Sequence, residues 1–285
     1  MTNKQESTYW MESEGERKRL ASNHLIAKDA MDGKLVRAPI DFSQPRKILD
    51  SGTADGTWLL DLAFSLPDPV GGSHEFVGTD LNPASFPKSI PPNMTFTVQD
   101  IKKPWPELQH GSFDLVHQRL TLLGAGHSPS ASITHLYNIT KPGGWLQISE
   151  GTMEFPPDIV NEERTPAYND MLKLMRAIAG AIGAEWHIGK TLKGLLEEAG
   201  FTDIEEEDVV LSMGRTNTDE QLAKEGAESC RVAIQGLSKF AKNFAPENQP
   251  LPMARYDSLG PQVETELMEK GAVYPLKVVW GRKPE

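Results

Sequence analysis

Apolar and polar positions change period first at residues 47–58, KILDSGTADGTW. The apolar pair Ile48-Leu49 leads into Asp50, small residues follow at Gly52, Ala54 and Gly56, and Trp58, Leu59, Leu60, Leu62 and Ala63 then recur at helical spacing. This predicts a strand, a tight turn and a helix. Further apolar runs predict strands at residues 75–80, 94–98, 113–116, 145–149, 201–213 and 276–280. Helical spacing predicts helices over 7–32, closed by Gly33, and over 130–140, 161–183 and 190–199, the last stopped by Gly200. Pro83, Pro87, Pro91 and Pro92 argue against a regular helix between the second and third strands. Strands alternating with helices describe an α/β fold.

Three carboxylates close successive strands and give the pattern its chemistry. Asp50 stands just before the small-residue turn, Asp80 roughly twenty residues past it, where a ribose would be held, and Asp100 after the third strand. The turn reads D-x-G-x-A-x-G rather than the dinucleotide fingerprint G-x-G-x-x-G. An acid there repels a pyrophosphate but suits an ammonium, and small residues let a ligand approach backbone N–H groups at a helix start. Asp50 for an amine, Asp80 for ribose hydroxyls and Asp100 for an adenine amine together fit S-adenosyl-L-methionine. NAD does not need the first.

ILDSGTADG, VGTDLN, QDI, FDLVH and KPGGW resemble, in order and spacing, the landmarks of class I S-adenosylmethionine-dependent methyltransferases. ERKRLASNHLIAKDAMDGKLVRAPI, PPNMTFTVQDIKKPW and VVWGRKP are similar to the fungal methyltransferase-like family that includes the velvet-associated regulator of secondary metabolism. The resemblance implies a seven-stranded Rossmann-like sheet, mostly parallel with the last strand antiparallel. It implies a single domain over 1–285, with a helical cap at 1–40, a core at 41–213 and 274–285, and a helical lid at 214–273. Gly52, Leu81, Ile101 and Gln118 would join the three carboxylates around the cofactor, and the first helix would roof it. Tyr9 and Arg19 are expected to reach the cofactor's carboxylate, since the sequence shows no other cation near the turn. The family usually has glycine where this chain has Ala54; if that position needs φ > 0, alanine costs about 1 kcal/mol.

At the carboxyl end of the fourth strand, where ligands collect in open α/β sheets, stands His117. It is the first candidate to touch cofactor or substrate, with His127 in the following loop and Glu150 at the end of the fifth strand as candidate acceptor-side groups. Methyl transfer from a sulfonium is an in-line displacement that needs alignment more than a loud catalytic motif. No nucleophile elbow, CxxC pair or HExxH occurs, and His110, His117, His127 and His135 form no recognisable zinc set, so no metal is expected.

Composition narrows the partners. A net charge of −11 argues against nucleic acid, and no apolar run is long enough to cross a membrane. The start, MTNKQEST, lacks the marks of a secretory signal. The single cysteine, Cys230, reads as a packed small hydrophobe compatible with a reducing, cytoplasmic setting. The expected function is methyl transfer to an O, N or S atom of a small apolar natural product. Two rivals stand beside it: a methyltransferase-fold regulatory or scaffold protein with a protein partner, and a cofactor-binding enzyme that rearranges or cyclises its substrate without net methyl transfer.

Overall fold

The computed structural model describes residues 14–285. Its elements run α1 (Glu14–Ala30), β1 (Lys47–Ser51), α2 (Thr57–Ser65), β2 (Glu75–Asp80), β3 (Met94–Val98), β4 (Phe113–Arg119), α3 (Pro129–Ile139) and β5 (Thr140–Gly151). They continue with α4 (Pro166–Ala181), α5 (Ile188–Ala199), β6 (Thr202–Met213), α6 (Glu220–Ala241), α7 (Met253–Lys270) and β7 (Ala272–Arg282). The strands form one sheet in the order β3-β2-β1-β4-β5-β7-β6. β1 to β5 pair in parallel, and β7 runs antiparallel between β5 and β6. This is the seven-stranded sheet that the sequence resemblance implied.

Side chains alternate across a strand, so the sheet buries two faces. On one, Ile48 and Leu115 pack with Trp58 and Leu59 of α2, and this cluster extends through α1, α4, α6 and α7. On the other, Leu49, Val116, Leu146 and Ile148 pack against Ile133 and Leu136 of α3 and Leu192 and Leu196 of α5. The chain leaves β1 toward β2 on one side and reaches β4 on the other. That reversal of strand order opens a crevice at the carboxyl ends of β1, β2 and β4.

Proline keeps the crossover from β2 to β3 irregular; its one ordered element is a single 3-10 turn, Pro83–Ser85. Of residues 214–273, expected as a lid, 214–271 fall between β6 and β7, and the last two open β7. Their Ala227, Ile234, Leu259, Val263 and Leu267 are fully buried in the same cluster as Ile48 and Trp58. Cys230 is buried there too, and burial pushes its thiol up to about 12, as fits a packed small hydrophobe. No described helix is long and apolar enough to cross a membrane.

β4 is longer than its apolar run. His117, Gln118 and Arg119 stay in the ladder because β1 and β5 flank them: His117 pairs with both Asp50 and Gln147, and Arg119 with Ser149. One buried carboxylate has a plain structural task. Glu266 of α7 accepts the N–H groups of Ala167 (3.2 Å) and Tyr168 (2.8 Å) at the start of α4, which has no side-chain cap of its own. Glu266→Ala leaves those two buried donors unmet, and urea unfolding is expected to show a loss of about 1–3 kcal/mol; an unchanged midpoint would remove the cap.

Candidate active site

The two-residue spacing of small side chains after β1 is a spacing of left-handed residues. Gly52, Ala54 and Gly56 have φ of 78°, 50° and 77°. A Cβ on Gly52 would lie 2.3 Å from Thr121 Oγ1, and one on Gly56 2.8 Å from the Phe96 ring. Ala54 therefore carries the strain that its position foretold for a non-glycine residue.

The turn's donors point inward. Gly52 N–H (2.7 Å) and Thr53 N–H (2.9 Å) both reach Thr79 O, and Ala54 N–H reaches Asp80 Oδ2 at 2.9 Å. The expectation that N–H groups here face a ligand does not hold for these three. Asp80 takes Asn82 N–H on its other oxygen (2.9 Å) and remains half-exposed at the crevice beside the exposed Leu81. Asp100 accepts Lys102 N–H at 2.9 Å and is also half-exposed. Next to it the Ile101 side chain borders Gly124, so the loop after β4 flanks the end of β3.

Asp50 and His117 form a buried couple. Asp50 Oδ1 lies 2.7 Å from His117 Nδ1, both residues are 3 % exposed, and the imidazole stacks on Trp58 at 3.7 Å between ring centres. Burial lowers the His117 pKa more than Asp50 raises it, so the ring is neutral and its Nδ1–H donates to Asp50. His117 thus sits inside β4, under α2, and not beyond the strand's end as the apolar pattern suggested. Gln118 points to the opposite face, fully buried, with neither amide atom partnered among the described residues.

Glu150 is fully buried. Its Oε1 accepts Thr121 N–H (2.8 Å) and Leu122 N–H (2.6 Å), while Oε2 has no partner among the described residues. Burial raises its pKa to about 7 against the opposing pull of those two donors. It so fixes the loop whose Thr121 fills the space above Gly52. His127 is exposed and lies over Gly183, where a Cβ would come within 2.0 Å of Nε2. That contact docks the loop on the turn between α4 and α5.

Of the remaining candidates, Tyr9 lies outside the described residues. Arg19 donates from Nε and Nη2 to the two oxygens of Glu16, 2.7 Å each, and sits close enough to Cys230 of α6 to oppose the rise in its pKa. The structure also corrects the premise that put Arg19 forward. Arg119, at the end of β4, is a cation beside the turn, coupled through space to Asp50 and Asp55. No local motif marks it; the signal was its place two residues after His117 on the same face of the strand.

A methyltransferase domain model matches residues 23–206. The chain belongs to the methyltransferase domain family. It is 34% identical to the N-methyltransferase sirN of Leptosphaeria maculans over 98% of this chain and 96% of that one. To the N-methyltransferase gliN of Aspergillus fumigatus it is 30% identical over 94% of each. A solved structure of Haemonchus contortus phosphoethanolamine N-methyltransferase 2, holding S-adenosylhomocysteine, shares the fold with a TM-score of 0.51 at 17% identity. That match covers 92% of this chain and about half, 52%, of the nematode enzyme.

As a class I S-adenosylmethionine-dependent methyltransferase, the chain bears out the broad resemblance drawn from its motifs; the narrower one, to the velvet-associated regulator, has no counterpart among these relatives. A shallow groove of about 520 Å³ lies away from the crevice, lined by Arg46, Asp114, Lys141, Trp145, Arg282 and Glu285. It sits at the strands' amino ends, and its cations are paired, Arg46 and Lys141 with Asp114 and Arg282 with Glu285. The crevice opened by the reversal of strand order is at the other edge.

Relief of the left-handed strain in Ala54→Gly is expected to raise stability to urea by about 0.5–1 kcal/mol, once the looser unfolded chain is subtracted. Gly52→Ala, which drives a Cβ into Thr121, is expected to lower it by more than about 2 kcal/mol; equal effects of the two variants would contradict this turn geometry. Folded Glu150 releases its proton near pH 7, against an ordinary 4.5. The native state therefore binds more protons between those values, and stability falls as pH rises through that window. Compared with Glu150→Gln, the wild type is expected to lose on the order of 3 kcal/mol between pH 4.5 and 8, and parallel profiles would refute the raised pKa.

Proposed function

We propose that this methyltransferase transfers a methyl group from S-adenosylmethionine to a nitrogen atom of a small, largely apolar fungal metabolite. The nitrogen is supported by the two N-methyltransferases that match almost end to end. The observation that carries the cofactor site is the half-exposed Asp80 carboxylate, whose two oxygens already hold the Ala54 and Asn82 N–H groups at fixed distance. A carboxylate so anchored keeps lone pairs for the two hydroxyls of a ribose. When bound, the cofactor supplies an activated methyl group on a sulfonium.

The chain's own residues do the rest. Asp100 accepts from the adenine amine, with Leu81 and Ile101 as its apolar flanks. Asp50, buried at the end of β1, favours an ammonium beside the turn. The loop held by Glu150 and His127 borders the acceptor, with Glu150 acting through the Thr121 and Leu122 N–H groups that it fixes. Residues 214–273 cover the acceptor side as a lid on one domain, and the buried Cys230 goes with a reducing cytoplasm.

Purified protein incubated with labelled cofactor and a panel of apolar amines, phenols and thiols is expected to label amines. Asp80→Asn is expected to weaken S-adenosylhomocysteine binding by about 10–100-fold, as loss of charged hydrogen bonds would. Label confined to oxygen or sulfur would overturn the acceptor, and undiminished binding by the variant would overturn the site.

A further inference from the structure

Arg119 remains unused in this account, and its surroundings are specific. It is the last residue of β4 in the ladder, paired with Ser149, and the next residue, Leu120, turns off the sheet with φ 52°. Strand alternation sends its side chain to the face of Leu115 and His117, toward α1 and α2. There Arg119 Nη2 lies 3.3 Å from His24 Nδ1. Among the described residues no carboxylate reaches it at ion-pairing distance, although Asp50 and Asp55 both favour its charge through space. A half-buried guanidinium with five N–H donors and one neutral partner is poorly satisfied by protein alone.

His24 is built to hold this cation. Its Nε2 lies 2.7 Å from Asp61 Oδ2, and Lys28 holds both oxygens of Asp61 at 2.8 Å. An ionised Asp61 only accepts, so Nε2 carries the hydrogen and Nδ1 keeps a lone pair for Arg119. Burial lowers the His24 pKa, with Arg119 adding to the effect, so the ring stays neutral. Lys28, Asp61 and His24 thus make a fixed chain across α1 and α2 that ends in an acceptor for one N–H of the guanidinium. The turn that carries Asp50 and Asp55 lies within electrostatic reach of the guanidinium, whose other donors have no hydrogen-bond partner among the described residues. A site that sets a planar cation beside carboxylates suits a zwitterion, an ammonium and a carboxylate on one carbon.

We propose that Arg119, held in place by His24, binds the α-carboxylate of the cofactor's amino-acid end, with His24 as its positioning residue. This rests on the cofactor site proposed above. It gives the first helix a role in cofactor binding through His24 rather than Arg19.

Calorimetry with three nucleosides separates the possibilities: S-adenosylhomocysteine, its decarboxylated analogue, and 5′-methylthioadenosine, which lacks the whole amino-acid end. In Arg119→Met the first is expected to bind about 30-fold more weakly, and the other two within about threefold of wild type. Arg119→Lys, which keeps the charge without the fork, is expected to lose about tenfold on the first alone, and carries the test if the methionine variant does not fold. His24→Ala is expected to show a smaller loss of the same selectivity, which a merely structural role would spread over all three ligands. Equal loss for all three nucleosides, or none, overturns the assignment while leaving the cofactor site standing. Wild-type protein that binds none of them overturns both.

Discussion

The bond from Ala54 N–H to the Asp80 carboxylate joins the first turn of the fold to the end of its second strand. Three alternate left-handed residues cannot be held by their own propensity, least of all with alanine among them. What holds them is external: Thr79 O takes two N–H groups of the turn and Asp80 a third. With these three donors engaged, the turn presents to the crevice a close-packed backbone surface flanked by carboxylates. Those carboxylates favour a ligand whose polar groups are hydroxyls and amines over one that brings phosphates.

Around this turn the charged groups are paired in a way that ties distant elements together. Asp50 and His117 join β1 to β4, with Trp58 of α2 closing over the ring. His24 and Asp61 join α1 to α2 and reach Arg119. Glu150 ties β5 to the loop that covers Gly52. Buried charges are expensive unless every one has a partner, so each link is strongly coupled to the others' geometry. The atoms left without protein partners, in Gln118 and at Glu150 Oε2, lie on the other face of the sheet, toward α3 and α5.

Much of the fold was legible because composition punctuates it. β2 and β3 begin and end where the apolar runs meet Glu75, Asp80, Pro92 and Gln99, and α5 stops at a glycine with φ 100°. β4 was cut short because His117, Gln118 and Arg119 are polar, and only their pairing with β1 and β5 shows that they belong to the ladder. The local geometry was legible where it depends on one strand end, as with the placement of Asp80 at the end of β2 and Asp100 just past the end of β3. It was not legible where the partner comes from far along the chain: Asp50 and His117 are 67 residues apart, and His24 and Arg119 are 95 apart. Arg19 is the exception, since Glu16, three positions earlier on the same helix, was a visible sign that its charge was engaged.

The most direct test of the central claim, that the edge formed by β1, β2 and β4 around this turn is the cofactor site, is a crystal structure with S-adenosylhomocysteine bound. The ribose is expected on Asp80, the adenine beside Asp100 and Ile101, and the amino-acid end over the turn at Gly52. Density for the nucleoside in the groove at the opposite edge, against Trp145 and Lys141, would contradict it.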